Sequence, residues 1–235
     1  MGAFFTKKMK LGEIFINGEE YNHIVNARRL REGDEVIFID GKGNKGYGSI
    51  KEINFKRKSL KVEIKKIERE KELPEIWLAQ SVIKRMDFII EKATELGVKG
   101  IFPIITRYTS FIPERKVERW KRISLSACKQ SCRAKLPYIE NPVFFEDFLK
   151  KSEKFRLKLI ADIDGEYRLR EIFSNEQDKL PLVVCIGPEG GFKREEINKA
   201  KEYGFIPFTL GKKILRGETA SIVSLGIIFE FIGEN

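Results

Sequence analysis

The sequence predicts an α/β protein with a β-rich N-terminal part and a C-terminal part in which strands and helices alternate. Short apolar or alternating runs, punctuated by glycine and asparagine, fill residues 1–71, a pattern typical of strands. From residue 76 onward, apolar runs of strand length are separated by segments with helical spacing, which indicates a mostly parallel sheet covered by helices. We therefore expect two domains, over residues 1–72 and 73–235.

The N-terminal part is expected to form a small β-barrel with strands at 13–16, 36–40, 47–50 and 60–64. Residues 41–46 spell G-x-G-x-x-G, the pattern of dinucleotide-binding turns, but such turns need a helix directly after them. A strand-like run begins instead at Tyr47, which favours a hairpin loop and argues against a nucleotide-dependent oxidoreductase. The charged run 65–75 is predicted to be the linker between the domains.

A basic segment lies between the first two predicted strands. Residues 22–34 are predicted to form a short helix that ends at Gly33. Arg28, Arg29 and Arg31 cluster on or near this helix. Two interpretations stay open for the cluster: a solvated basic face, or a surface that contacts phosphate groups.

The C-terminal part alternates regularly. Its strands are predicted at 76–81, 100–105, 157–161 and 182–186, and its main helices at 86–96, 116–133 and 218–232. Gly97 is expected to stop the first of these helices. The last helix is apolar nearly all round, so it must be buried on more than one side. It is expected either to be buried within one domain or to face a second subunit with one side.

Composition limits the classes of partner and cofactor. The chain has 45 lysine and arginine residues against 35 aspartate and glutamate residues, and its net charge of +10 favours a polyanion such as RNA over a merely soluble basic protein. No signal peptide and no apolar run of the ~20 residues that a membrane span needs is visible, so no membrane partner is expected. An odd number of cysteines, three, suits the reducing cytoplasm. Cys128 and Cys132 are one helical turn apart, but the chain has only one histidine and no second cysteine pair, so no metal site is expected.

Two glycine-bearing turns near the C-terminus each follow a predicted strand and precede a predicted helix. The first reads Gly-Pro-Glu-Gly-Gly-Phe over residues 187–192, and the second covers residues 210–220. A strand, a tight turn and a helix present ligand groups at the C-terminal edge of an open α/β sheet. The second turn also brings several charged side chains to a strand end: Lys212, Lys213, Arg216 and Glu218.

Together the two turns resemble the signature of the RsmE-type 16S ribosomal RNA uracil-N3 methyltransferases, a family of the SPOUT class. The resemblance implies a PUA-like RNA-binding β-barrel followed by a SPOUT α/β methyltransferase domain with a deep trefoil knot. It also implies S-adenosylmethionine as the cofactor, 16S rRNA or the small ribosomal subunit as the substrate, a homodimer and a cytoplasmic location. Two alternatives stay open: another SPOUT reaction such as ribose 2′-O-methylation, and a non-catalytic RNA-binding factor for ribosome assembly.

The resemblance and the chemistry of methyl transfer together nominate site residues. Uracil N3 is a weakly acidic imide, so a positive group must stabilise its anion or a base must take its proton. Arg216 is expected to stabilise this anion or hold the phosphate, and Glu218 to orient Arg216 or accept the proton. The cofactor is expected to contact Gly187, Glu189, Gly190, Gly191, Leu210, Gly211, Ile214, Leu215 and Ala220. The RNA is expected to contact His23, Arg28, Arg29, Arg31, Arg107, Gln130 and Arg133. Lys193 stands where the family often has a helix-capping serine, which predicts a weaker cap there.

Overall fold

The computed structural model describes residues 2–109, 116–175 and 179–233, which fall into two compact units. The first unit comprises Met1–Lys71 and Leu125–Leu136, and the second comprises Glu72–Ser124 and Pro137–Asn235. The inclusion of residues 125–136 in the first unit is a feature that no pattern in the sequence indicated. The α/β class predicted from the sequence is confirmed.

The first unit is built on a five-stranded sheet with the order β1-β3-β4-β5-β2. Only the β1–β3 pair is parallel, and one face carries an apolar core around Ile24, Phe38 and Ile64. No ladder joins the edge strands β1 and β2 within the described residues, so closure into a barrel stays a prediction. The strands are β1 (Phe4–Phe5), β2 (Gly12–Asn17), β3 (Glu35–Ile39), β4 (Asn44–Asn54) and β5 (Ser59–Arg69).

Two sequence-based boundaries in this unit are wrong. The helix expected over 22–34 is instead a short α1 (Gly18–Tyr21) continued by a π-helical turn (Asn22–Ala27). Helix geometry cannot continue through Arg29, whose backbone is left-handed with φ of 57°, and further on the Gly33 N–H donates to the Ile50 carbonyl at 2.8 Å. The predicted linker is also too long, since residues 65–69 belong to β5 and pair with β4.

The second unit contains a parallel sheet with the order β11-β13-β10-β12-β6-β7-β8, in which β9 also pairs with β7. Every ladder in it is parallel, as the alternating pattern predicts. The two central strands β6 and β12 are buried on both faces, because helices cover the sheet on both sides. The strands are β6 (Ile76–Ser81), β7 (Gly100–Ile105), β8 (Tyr138–Ile139), β9 (Val143–Phe144), β10 (Leu157–Ala161), β11 (Tyr167–Arg168), β12 (Leu182–Ile186) and β13 (Ile206–Thr209).

The three main helices predicted from the sequence are observed close to their predicted bounds, as α2, α3 and α7. Gly97 caps the first of them in a left-handed conformation with φ of 100°, as expected for a helix-stopping glycine. In the part of the chain that the structure describes, no helix has both the length and the apolar character needed to cross a membrane. The helices are α2 (Met86–Leu96), α3 (Val117–Ser131), α4 (Phe145–Lys151), α5 (Leu169–Asn175), α6 (Arg194–Glu202) and α7 (Gly217–Ile232), with a short 3₁₀ turn (Ser152–Lys154) after α4.

A buried polar contact ties α7 to the carboxyl end of β6. The hydroxyl of Ser221 donates to the side-chain carbonyl of Gln80, and the amide nitrogen of Gln80 donates to the Ser81 carbonyl at 2.9 Å. Ser221 and Gln80 are both fully buried. A buried amide oxygen that loses its only side-chain donor retains its desolvation cost, so this contact holds α7 in place.

Replacing Ser221 by alanine is expected to lower the free energy of unfolding by about 1–3 kcal/mol, because the Gln80 oxygen is left without that donor. Ser224 provides a matched control one helical turn later: it is equally buried, and its hydroxyl has no hydrogen-bond partner among the described residues. Ser224→Ala is expected to be neutral or slightly stabilising. Chemical denaturation of both variants measures the difference, and equal losses would show that the Ser221–Gln80 contact contributes nothing.

Candidate functional site

A cavity of about 540 Å³ opens at the carboxyl ends of three neighbouring strands, β10, β12 and β13. In a parallel sheet the loops that leave neighbouring carboxyl ends meet at one edge, which is where open α/β sheets bind ligands. The residues nominated from the sequence as cofactor contacts all line this cavity: Gly187, Glu189, Gly190, Gly191, Leu210, Gly211, Ile214, Leu215 and Ala220.

The first glycine turn follows β12 and forms one wall. Gly191 has φ of 70°, and its N–H donates to the Pro188 carbonyl at 2.9 Å. A Cβ on Gly187 would lie 3.1 Å from both the Gly191 carbonyl carbon and the Phe192 ring. Close packing therefore favours glycine at Gly187 and the left-handed backbone favours it at Gly191, and the turn lines the cavity.

The second glycine turn follows β13 and forms the opposite wall. Gly211 has φ of 119°, and its N–H donates to the Thr209 hydroxyl at 3.1 Å. Nothing lies within 4 Å of a Cβ built on Gly211 or on Gly191, so both glycines border open space. Ile214 lies at the open side of the cavity and is 82% exposed.

A third loop, which the sequence analysis missed, completes the cavity. Asp162, Ile163 and Asp164 follow β10 and line the pocket. The Asp162 N–H donates to the Phe208 carbonyl at 2.9 Å, and the Gly165 N–H donates to the Asp162 carbonyl at 3.1 Å. This loop carries no recognisable motif, and only the strand order, which places β10 between β12 and β13, brings it to the site.

The cavity also has charged walls. Three acidic residues line it, Asp162, Asp164 and Glu189, together with the cations Arg194 and Lys213. The guanidinium of Arg194 lies 3.9 Å from a carboxylate oxygen of Asp162. The acidic groups give the pocket a means of binding a ligand that carries positive charge.

Arg216 and Glu218 lie at the start of α7, beside the cavity. Leu215 and Gly217 line the pocket, whereas the Arg216 side chain is exposed and has no ion-pair partner among the described residues. The Glu218 carboxylate lies 3.4 Å from Nε of Arg85, so the ion pair that the structure shows for it is with Arg85 rather than Arg216. Its predicted roles, orienting Arg216 or accepting the proton, stay predictions.

Glu196 links the helix after the first glycine turn to the loop that follows β7. One carboxylate oxygen accepts the Lys193 N–H at 2.9 Å, and the other accepts the Arg107 N–H at 3.0 Å. The first contact is half of a capping box, since a lysine side chain has no acceptor for the other half. The weaker cap predicted at Lys193 is thus partly offset by Glu196, which also holds the exposed Arg107 near the turn.

Most of the residues predicted to contact RNA lie in the first unit. Arg28, Arg29, Arg31 and Gln130 are exposed, and Arg29 has a left-handed backbone with φ of 57°. These four side chains are therefore available to a partner, in keeping with a phosphate-contacting surface.

Arg133 departs from that expectation. Its side chain is buried, with 7% exposure, and lies near Cys128 and Glu70 of the same unit. Burial lowers the pKa of Arg133, and the nearby thiol and carboxylate act in the opposite direction. Burial also raises the pKa of the Cys128 thiol to about 12. The surroundings indicate a structural role, so we leave Arg133 out of the proposed RNA surface.

His23 is half-buried, and its environment keeps it neutral. Desolvation lowers its pKa below 6.5; the charges of Lys129 and Arg28 act in the same direction, and Glu20 partly opposes them. It is the only histidine in the chain. At pH 7 it can therefore offer RNA a hydrogen bond but not a positive charge.

An NMR titration of this single imidazole is expected to give a midpoint below 6.5 in the folded protein. Because the unfolded chain takes up the proton more readily, the free energy of unfolding should fall as the pH drops below 6.5 toward the folded-state pKa. His23→Gln should reduce that fall. A midpoint at or above the ordinary value of 6.5 would contradict the expected environment.

Two family models and several known proteins match this chain over most of its length. A family model described as "RNA methyltransferase domain" matches residues 69–229, and one described as "RNA methyltransferase PUA domain" matches residues 16–64. The chain is 32% identical to the ribosomal RNA small subunit methyltransferase E of Mesomycoplasma hyopneumoniae, over 96% of this chain and 97% of the relative. It is 30% identical to the protein of the same name from Bacillus subtilis, over 91% of this chain and 88% of the relative.

Solved structures agree with the sequence relatives. The crystal structure of a ribosomal RNA small subunit methyltransferase E from Neisseria gonorrhoeae, bound to S-adenosyl methionine, matches with a TM-score of 0.86 and 30% identity. The match covers 98% of this chain and 97% of that one. A putative methyltransferase from Legionella pneumophila, in complex with SAM, matches with a TM-score of 0.85 and 28% identity over 97% of this chain and 96% of that one.

Proposed function

The chain belongs to the ribosomal RNA small subunit methyltransferase E family, and from that premise we propose that it methylates a uridine of small-subunit ribosomal RNA at N3, with S-adenosylmethionine as the methyl donor. The observation that carries the proposal is the cavity at the ends of β10, β12 and β13. Nine residues nominated from the two glycine turns line it, although the turns follow β12 and β13, two strands that β10 separates in the sheet.

The residues of this cavity fit S-adenosylmethionine. Its volume of about 540 Å³ lies within the range of small-molecule sites. The open space beside Gly191 and Gly211 allows a ligand to approach both backbones closely. Asp162, Asp164 and Glu189 suit the positive charges of a sulfonium and an amino group, and Leu215 and Ala220 supply apolar wall.

The chemistry of the reaction assigns a task to the nearby cation. When bound, S-adenosylmethionine supplies an electrophilic methyl group on a positively charged sulfur. The protein must supply the rest: it has to hold the uracil ring beside the donor and favour the loss of the N3 proton. The guanidinium of Arg216 lies beside the pocket wall, has no ion-pair partner in the part of the chain that the structure describes, and stabilises the negative charge that develops on the uracil ring.

The target base must leave its pairing partner before its N3 can react, because N3 lies on the Watson–Crick edge. The exposed Arg28, Arg29 and Arg31 of the first unit contact the RNA backbone, while the cavity accepts one base. We include three further properties of the family resemblance in the proposal: a closed PUA-like barrel over residues 1–72, a trefoil knot within residues 73–235, and a cytoplasmic location.

Two observations support the knot and a homodimer. A Cβ on Gly217 would lie 3.3 Å from the Gly187 carbonyl oxygen, so the start of α7 lies against the first glycine turn, as interlocked loops require. On α7 itself, Val223 and Phe231 are 38% and 47% exposed. Apolar side chains exposed on an otherwise buried helix suit a second subunit.

Methyl transfer to small ribosomal subunits that lack the modification tests the proposal. We expect tritium from labelled S-adenosylmethionine to appear in the RNA, and mass spectrometry of the digested nucleosides to identify 3-methyluridine. A methyl group on ribose would instead indicate 2′-O-methylation. Calorimetry that detects no binding of S-adenosylmethionine would favour a non-catalytic assembly factor.

A further inference from the structure

The loop that joins β4 to β5 combines an exposed aromatic ring with consecutive cations. It consists of Phe55, Lys56, Arg57 and Lys58, all of which are exposed, and Phe55 is 71% accessible. None of the three cations has an ion-pair partner among the residues that the structure describes. An aromatic ring that projects into water while its neighbours are unpaired cations is poorly explained by stability alone.

The loop has a defined conformation. The Asn54 side-chain oxygen accepts the Arg57 N–H at 2.8 Å, and Asn54 pairs with Ser59 at the last rung of the hairpin. Lys58 closes the turn with φ of 48°, a left-handed conformation that is uncommon for a residue with a side chain. The backbone that presents Phe55 is therefore held in place before any partner binds.

The same loop adjoins the arginine segment of the first unit. The Glu32 carboxylate accepts the Ile53 N–H at 2.7 Å, and the Asp34 carbonyl accepts the Ile50 N–H at 3.0 Å. Through these bonds, the strand that leads into the loop lies against the segment that carries Arg29 and Arg31. The two cationic segments thus belong to one folded unit and are joined through β4.

We propose that the 55–58 loop is a binding site for unpaired RNA, in which a base stacks on Phe55 and the flanking phosphates contact Lys56, Arg57 and Lys58. Stacking of bases on aromatic rings along a positively charged track is how proteins bind single strands without reading their sequence. A lipid surface would call for more apolar area than this loop exposes, and the carboxylate side chains of an acidic peptide offer no aromatic face to stack on Phe55. The proposal rests on the function proposed above for its choice of RNA.

The test uses the full-length protein and a fluorescently labelled single-stranded RNA of about 12 nucleotides, a length in the range that such sites occupy. At about 0.1 M salt, Phe55→Ala is expected to weaken binding about 5- to 150-fold, the loss that corresponds to removing one base-stacking contact. Binding of a fully paired RNA duplex of the same length should change less than about 2-fold, since its bases are not free to stack.

Phe15 provides the matched control. It is also a strongly exposed phenylalanine of the first unit, 63% accessible, but the Lys61 beside its ring is already paired with Glu13. Phe15→Ala is expected to leave RNA affinity unchanged. Equal losses for Phe15→Ala and Phe55→Ala would overturn the proposal, as would unchanged affinity of Phe55→Ala for the single strand.

Two further variants test the base-stacking contact and the phosphate contacts separately. Phe55→Trp should keep the affinity and show quenched fluorescence when RNA is added, whereas the native Trp77 and Trp120 are buried and should not respond. Replacing Lys56, Arg57 and Lys58 by glutamine should flatten the dependence of log affinity on log salt by about 2, the change expected for three lost phosphate contacts. An unchanged slope, or a tryptophan that does not respond, would contradict the proposal.

Methyl transfer by the wild-type chain and single-strand affinity of Phe55→Ala, measured side by side, separate this proposal from the proposed function. If Phe55→Ala loses RNA affinity but the wild-type chain transfers no methyl group, the loop proposal holds and the proposed function fails. If the wild-type chain methylates RNA and Phe55→Ala binds the single strand normally, only the loop proposal fails. In both cases the affinity for S-adenosylmethionine is expected to be the same in wild type and variant.

Discussion

Replacing Arg216 by glutamine is expected to lower kcat for methyl transfer about 10²- to 10³-fold, while the affinity for S-adenosylmethionine stays within about 2-fold. In other enzymes, removal of one group that stabilises a developing negative charge lowers kcat by about this factor. The Arg216 side chain does not line the cavity wall, so donor binding should not depend on it. Single-turnover rates with a saturating RNA substrate, together with calorimetry, measure the two quantities separately.

Two companion variants sharpen this test. Arg216→Lys should recover only part of the rate, because an ammonium keeps the charge but lacks the planar fork of a guanidinium. Lys212→Gln removes an exposed cation from the same turn and should retain nearly full activity. If Lys212→Gln and Arg216→Gln are equally impaired, the effect is one of overall charge, and the specific role of Arg216 is wrong.

The second large effect is expected from Gly165→Ala. A Cβ there would lie 2.4 Å from the Phe208 carbonyl carbon and 2.7 Å from the Thr209 nitrogen, both of which are backbone atoms that cannot move cheaply. The loop of Asp162 and Asp164 must therefore shift away from β13 and distort the cavity. We expect about a 10²-fold loss in the rate of methyl transfer and a stability loss of about 1–3 kcal/mol.

Glu166→Ala is the control for this variant. It changes the adjacent residue, whose carboxylate makes only a surface ion pair with Lys201 at 3.1 Å, and it leaves the crowded backbone untouched. Such pairs contribute at most about 1 kcal/mol, so donor affinity and rate should stay close to wild type. A Gly165→Ala variant with normal affinity for S-adenosylmethionine would show that the third loop does not shape the donor site.

The strands and turns that could be predicted are those whose residues carry a local signal. Residues 76–81 and 182–186 are mostly apolar runs of strand length, and the observed strands have the predicted bounds. The glycine turn at 187–192 was recognisable because its backbone favours glycine, through close packing at Gly187 and a φ of 70° at Gly191. The resemblance to the RsmE-type family, which rested on these turns, is confirmed by the relatives and by the solved structures.

The features that could not be predicted depend on which strands, helices and loops lie next to one another in the folded chain. The loop of Asp162 belongs to the site only because β10 lies between β12 and β13, an order that periodicity does not reveal. Arg85 pairs with Glu218 across more than a hundred residues of chain. Arg133 shares its side-chain chemistry with the exposed arginines, so only the structure distinguishes a buried arginine from one at the surface.

The position of β13 has a consequence for how the nascent chain acquires activity. This strand lies between β10 and β11, and within the described residues β11 pairs with no other strand. A ribosome must therefore complete residues 206–209 before that side of the sheet can close. Pairings between such distant segments form slowly, because a long stretch of chain has to be ordered before they are made. Competence to bind the methyl donor should therefore arise only after residues 206–220 have been synthesised, so chains truncated before residue 206 are expected to be inactive.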